Sequence, residues 1–562
     1  MLSPLHALSA LLARSIAVGA LALAGSGMLH AEPEDPPGRV GRLADMAGRV
    51  SMFDAEEGQW VEAQRNRALT TGDRLSTEQG ARAEVRIGST VLRLGGNSEL
   101  EFARVDDERM VFQLHTGSVA LRVRSREIAD EVEVRTGEGR ALPERSGHYR
   151  IDREDDTTFV ATLRGSLRFD AGDLQVQVPA GRRAEFFQQS GDRATVVAWS
   201  APGNDDFAQW VAREDQRDER SVAQRYVSPE MTGVEDLDRY GRWENHPEYG
   251  VVWSPLQVAV GWAPYRYGRW GWRARWGWTW IDNAPWGFAP FHYGRWVSWG
   301  GRWVWSPGAY VARPVFAPAL VAWVGGPNVS VSINLGGGPT VGWVPLAPRD
   351  VYVPGFRYGQ RYFDQVNRPQ HPHQRPQVPT GPVMYGNRGV PGAVTVVPSN
   401  VLTQRQPVAP AAVRDADAQR AIGGARVGNV APVLAPTGRF PAASPGAQAG
   451  SQTVTLPQAP GRKPPPSRPV VDLRRAAPMP ASPSAQPAPQ ATAAATAAAA
   501  VRAMPPVAPR AAPPPQAAPQ GKPAPDRGPD ASRKEASRDD RPEARQRIPE
   551  SRPPSRERQN AM

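Results

Sequence analysis

The chain has 562 residues, with 59 prolines, 54 glycines and a formal net charge of +11 at pH 7. That length holds two or three domains, but much of the proline falls after about residue 425, so part of the chain is expected not to fold. The absence of cysteine excludes disulfides, thiolate metal sites, a thiol nucleophile and a lipidated N-terminal cysteine, while the basic charge suits anionic partners such as nucleic acid, anionic lipid or acidic glycan.

Residues 1–31 read as a secretory signal peptide. His6 and Arg14 precede an apolar stretch, Ile16–Leu29, and Leu29-His30-Ala31 places a small residue before the expected cut. The competing reading is a retained anchor, but the stretch is shorter than the roughly 20 apolar residues a spanning helix needs. Export removes nucleic acid from the partners that the charge would otherwise suggest.

From Gly38 to Phe187 the pattern has period two. Val85-Arg86-Ile87, Val91-Leu92-Arg93-Leu94 and Leu100-Glu101-Phe102 alternate apolar and polar residues, and Gly, Asp and Ser punctuate the runs. This predicts antiparallel strands with one face buried and the Arg/Glu face solvated. Gly48-Arg49-Val50, Trp60, Leu69-x-x-Gly72-Asp73-Arg74-Leu75-x-Thr77 and Ala81–Ser89 followed by Val91–Leu94 resemble the opening of FecR-like domains. The resemblance covers residues 39–190 and implies a β domain. The family's typical member is an inner-membrane regulator with a cytoplasmic anti-sigma part. Here a signal peptide stands in place of that region, so transmembrane signalling is not carried over.

Residues 201–228 are charged and contain Phe207 and Trp210. They read as a polar helix that ties those two rings to a β domain, or as a solvated linker. Beyond them, Tyr-Gly-Arg-Trp occurs at Tyr240–Trp243, Tyr267–Trp270 and Tyr293–Trp296, starting 27 and then 26 residues apart, and 15 of the 18 tryptophans fall between Trp243 and Trp343. A fixed spacing marks a copied unit. Each copy leads to an aromatic second strand, such as Trp276–Trp280 or Trp303–Pro307, and is expected to be a β-hairpin with a Gly/Pro corner. Val329–Leu335 and Val341–Val344 would end the module, and Ala393–Pro398 would add a short β element. Residues 229–415 resemble the uncharacterised Trp/Tyr-rich domain that follows FecR-like domains in exported proteobacterial proteins, a resemblance that brings no activity with it. It places the chain in the periplasm or envelope of a Gram-negative bacterium. Residues 425–562 are Pro/Ala-rich and then mixed-charge, and are expected to be a disordered tail. The fold class is therefore all-β: a FecR-like domain, an aromatic hairpin-repeat domain and the tail.

Catalytic patterns are missing: no His-Glu-x-x-His, no Gly-x-Ser-x-Gly, no phosphate loop. His371 and His373 sit in a Pro/Gln stretch and read as solvated. Three carboxylates fall between Tyr240 and Arg349, namely Glu244, Glu248 and Asp282, and a glycosidase would need two of them facing one bond. No catalytic residue, cofactor or metal is expected. The tryptophans have three readings: core of a small repeat, a face on which glycan rings stack beside bidentate arginines, or membrane-interface contact. Most rings are expected in the core, with Arg242, Trp243, Arg269, Trp270, Arg295 and Trp296 at the repeat starts as the candidate ligand residues. The expected function is a non-enzymatic envelope binding or scaffold protein whose partners are cell-wall glycan, lipopolysaccharide or an envelope protein, with peripheral membrane contact open. The alternative is a FecR-like regulatory partner protein in the periplasm.

Overall fold

A computed structural model describes residues 35–172, 174–188, 195–324, 339–380, 383–423, 427–428 and 431–443. The signal peptide, Val329–Leu335 and all of the tail beyond residue 443 lie outside the described residues. Among those described, no helix is long and apolar enough to cross a membrane.

The first module is built as its alternation predicts. Seventeen strands between Gly41 and Ser200 form one continuous pairing network. The long strand Met110–Val123 links its two halves: Met110–Thr116 pairs with Ser98–Val105, while Gly117–Val123 pairs with Gly147–Arg153. Gly117 has φ +85° and a Cβ there would strike Ser98, so the bend between the halves requires glycine. Leu43, Val85, Leu92, Leu121, Ile151 and Phe186 fill the space between the halves. The module runs past the expected boundary at residue 190, because Thr195–Ser200 pairs with Arg182–Gln188.

Arg135, Arg140 and Gln177 are exposed as the alternation suggests, but one patch of the outer face is not solvated. Glu84, Arg86, Arg93 and Arg122 are all buried because the helix Asp206–Asp218 lies over them. Asp205 caps the helix by accepting from the Ala208 N–H at 2.8 Å. Asp215 and Asp218, one turn apart on one side of the helix, accept from Arg93 (2.7 and 3.2 Å) and Arg122 (both 3.2 Å), and Asp218 also takes Arg86 at 2.8 Å. Arg82 stacks on Trp210 and Arg150 on Phe207. The segment is thus a docked helix that holds both rings on the sheet, not a linker.

The three copies of Tyr-Gly-Arg-Trp each open a hairpin: Gly241–His246 with Gly250–Pro255, Gly268–Arg273 with Gly277–Asp282, and Arg295–Trp299 with Arg302–Ser306. The register is the same in each, pairing Trp243 with Trp253, Trp270 with Trp280 and Trp296 with Trp305. This explains the motif glycine. A Cβ on Gly241, Gly268 or Gly294 would come closer than 3.0 Å to the indole of Trp253, Trp280 or Trp305, so only glycine lets the second-strand tryptophan lie across the first strand. The first and third hairpins join through Trp253 and Trp305 into a four-stranded sheet, and the second hairpin stands apart as a two-stranded sheet. Val321–Val324, Thr340–Pro345, Thr395–Pro398 and Val427–Gly428 make a further sheet.

The modules interlock through polar groups that neither repeat pattern discloses. Arg42, fully buried, donates to Asn66 (3.0 Å), Glu235 (2.7 Å) and Asp236 (2.6 Å). Arg273 of the second hairpin reaches back to Asp73 (3.2 Å) and to the Ala68 carbonyl (2.6 Å). The tail also begins later than residue 425. Residues 431–443 lie on the folded body as a strap, with Phe440 buried.

Candidate functional site

Of the 15 tryptophans between Trp243 and Trp343, 11 are buried and four, Trp243, Trp262, Trp272 and Trp299, are half-buried. The reading of most rings as core therefore holds. It extends to half of the candidate ligand residues. Trp270 is enclosed by Trp280, Trp323 and Trp343 with ring centroids 4.9 to 5.3 Å apart. Trp296 is buried beside Trp286 and Phe291, and its indole N–H donates to the Pro290 carbonyl at 2.8 Å. Arg295 is buried as well. It donates to the carbonyls of Gly294 (2.8 Å) and Asp350 (3.2 Å) and to Asn367 Oδ1 (3.0 Å), and burial pushes its pKa down to about 10. These three side chains cannot reach a ligand: other tryptophans enclose Trp270, and the segments around Asp350 and Asn367 cover Arg295 at the third repeat start.

Arg269 is half-buried with no ion pair among the described residues. Arg242 is exposed and Trp243 half-buried. Trp243 stacks on Tyr226 at 4.7 Å and donates to Asp238 Oδ1 at 3.3 Å.

Arg242 leads to a set of residues that repeat position alone did not bring together. It lies on the strand Gly241–His246 and donates to Glu244 at 2.9 Å, and Arg302 from the third hairpin takes both oxygens of Glu244, at 2.9 and 2.6 Å. Hydrogen bonding from Arg302 first, and then Arg242, holds the Glu244 carboxyl below its ordinary range, so it stays ionised and serves as an acceptor. Arg302 also stands 5.3 Å from the Trp299 ring centre, directly across the hairpin from it. Trp299 meets His246 edge to face at 4.9 Å, and His246 stacks on Tyr249 at 4.7 Å. The His246 Nδ1 accepts the N–H groups of Glu248 (3.1 Å) and Tyr249 (3.3 Å), which puts the ring proton on Nε2. Arg349 completes the strip, pairing with Glu248 at 2.9 Å and lying 5.7 Å from the Tyr249 ring.

The strip therefore offers two half-buried rings, an imidazole donor, three guanidinium groups and two carboxylates. The sequence held a clue to it: Trp299, Tyr249 and His246 all stand at hairpin ends, where no further strand can cover them. The third carboxylate, Asp282, is not part of the strip. It is buried at the end of the second hairpin, where it accepts from the Trp280 indole (3.0 Å) and the Ala284 N–H (2.9 Å). Among the described residues no group of three His, Asp or Glu is placed to hold a metal ion.

A family model described as a family of unknown function, DUF6600, matches residues 234–350, the stretch that contains all three hairpins. Two solved structures described as an anti-sigma factor from Parabacteroides distasonis match at 12% identity and a TM-score of 0.21. They cover 25% of this chain and 63% and 64% of their own. The chain thus spans less than two thirds of the length of those proteins, and a TM-score that low carries no argument about activity. No curated protein matches the chain.

Proposed function

We propose that this chain is an exported, non-enzymatic envelope protein that binds glycan on the Trp299–His246–Tyr249 strip, with the FecR-like β module as its scaffold. The observation that supports this reading is the composition of the strip at hairpin ends. Sugar C–H faces stack on aromatic rings, while hydroxyl and acidic groups find the Arg242, Arg302 and Arg349 donors and the Glu244 acceptor. Because Arg242 and Arg302 already share Glu244, the strip favours a neutral or weakly anionic saccharide over a highly charged one.

The test is retention of the full chain on purified peptidoglycan and on lipopolysaccharide. Trp299→Ala and Arg302→Ala are expected to reduce retention by about tenfold, the loss of roughly 1.4 kcal/mol, with melting behaviour unchanged. Trp270→Ala is not a useful control because it opens the core. Failure of the wild-type chain to be retained on either material would overturn the glycan reading, as would equal retention of both variants.

A further inference from the structure

Residues 434–443 form a strap across the open edge of the first module. The Glu62 N–H donates to the Pro441 carbonyl at 3.0 Å, the Ala443 N–H donates to the Trp60 carbonyl at 3.2 Å, and Val61 and Ala442 form an antiparallel bridge. The strap therefore adds a short strand to Gln59–Glu62 in the way an extended peptide augments a sheet edge. Its other anchors lie on the second module. Thr437 and Gly438 N–H groups both donate to the Thr403 carbonyl, at 2.8 and 2.9 Å, and the Trp278 indole donates to the Leu434 carbonyl at 3.1 Å.

The centre of the strap is Phe440, the only aromatic residue from position 425 onward. Its ring is buried, 4.0 Å from the Arg67 guanidinium carbon and 4.6 Å from that of Arg405, with Ile281 and Gly271 beneath. Arg67 is ion-paired to Asp54, and Arg405 to Glu57. Arg67 Nη1 and Arg405 Nε nevertheless have no hydrogen-bond partner among the described residues. The ring faces are the main contact these two buried cations have on that side, so the socket is shaped for an aromatic side chain and is poorly satisfied without one. Beyond these, Arg439 touches Gln59 at 3.4 Å and the half-buried Leu434 packs against the aromatic core.

We propose that the Gln59–Glu62 edge and the Arg67/Arg405 socket form a peptide-docking site that residues 434–443 occupy in cis, and that its exchange partner is an extended segment of another protein carrying an aromatic residue at the Phe440 position. The strap shows what the groove takes: an unpaired strand edge for the backbone and a double-guanidinium socket for one ring. One aromatic ring in an otherwise Pro/Ala-rich segment is the internal occupant's only side chain in the socket, which a partner with one matching ring can replace. The site lies where the first module meets the second, with Arg67 from one and Arg405 from the other, and contains no residue of the Trp299 strip, so glycan binding and strap exchange can fail independently.

The test uses the full chain and a fluorescein-labelled peptide of residues 434–445. The Phe440→Ala chain is expected to bind the peptide at least tenfold more tightly than the wild-type chain, whose own strap competes. A peptide carrying Phe440→Ala is expected not to bind either protein. No uptake by a Phe440→Ala chain that still melts cooperatively would overturn the proposal, and so would equal uptake by the wild type. If Phe440→Ala does not fold, the readout moves to the wild type: excess peptide made with Arg439→Gln, which trypsin does not cut, is expected to accelerate trypsin cleavage of the chain's own Arg439–Phe440 bond several-fold, followed by mass spectrometry, and an unchanged rate would overturn the proposal.

Discussion

Arg42→Ala is expected to unfold both β modules together at a markedly lower urea concentration, with a loss of about 3–5 kcal/mol, the usual cost of removing one partner from a buried ion pair. The magnitude follows from what the guanidinium holds. Its side chain is wholly buried and bridges Asn66 of the first module to Glu235 and Asp236 of the second. Asn66 in turn donates to the carbonyls of Asp282 (2.9 Å) and Ala284 (2.7 Å). Without the cation, Arg86, 3.6 Å from Glu235, is the remaining ion-pair partner of these two carboxylates among the described residues. The effect should be shared because the contact is shared. Fifteen of 18 tryptophans report on the second module, whereas far-ultraviolet circular dichroism reports on strands in both. Coincident transitions by the two probes, shifted together in the variant, are the expected result. A wild-type chain whose two probes melt separately would show that the interface does not couple the modules. Arg42→Met with Glu235→Gln and Asp236→Asn should recover part of the loss, since no buried charge is then left alone.

The same interface marks the limit of what the sequence discloses. The hairpins were legible because glycine and tryptophan carry their own geometric reasons: the motif glycine makes room for an indole, and the paired tryptophans set the register. Burial of Arg86, Arg93 and Arg122 was not legible, because period-two alternation says only that they share a face, not what lies on it. The spacing of Asp215 and Asp218, three residues apart on a helix, was the available signal that a carboxylate row faces those arginines. Arg242 and Arg295 occupy the same position of the same motif, yet one is exposed and the other enclosed. The difference arises from the segments around Asp350 and Asn367, which lie outside the repeat. A repeat conveys its internal packing and nothing of what covers it. Phe440 was hidden for the opposite reason: Pro/Ala-rich composition suggests no core, but one ring with two guanidinium partners is enough to dock a short strap.

Stability between about pH 4 and 6.5 should be nearly flat with respect to two buried groups in the wild-type chain, and steep in either single variant. His292 is fully buried between Phe288 and Phe316, with Nδ1 2.8 Å from the Ala317 carbonyl, and burial pushes its pKa down to about 3. The unfolded chain binds a proton there near pH 6.5. Between these values the unfolded state holds the extra proton, so stability falls as pH falls, by about 1.4 kcal/mol per pH unit and about 5 kcal/mol in all. Asp282 acts in the opposite sense. Burial raises its carboxyl to about 7, above the unfolded value near 3.9, so the folded state holds the extra proton and stability rises as pH falls from 7 toward 4, by about 4 kcal/mol. His292→Asn keeps an N–H donor for Ala317 but removes the titration, and should leave a protein that gains stability on acidification. Asp282→Asn should leave one that loses it. Urea midpoints of the three proteins across pH 4 to 7 give the slopes directly, and each variant's slope is compared with that of the wild type so that other carboxylates cancel. Glu84 and Asp215, held down to about 2 mainly by arginine and histidine partners acting against the burial that would raise them, add their own acid lability only as the pH falls below the ordinary carboxylate range. Parallel slopes in all three proteins would mean that neither group is buried in the state assigned to it. Opposite slopes in the two variants would establish that a neutral imidazole and a protonated carboxyl offset one another inside the same aromatic module.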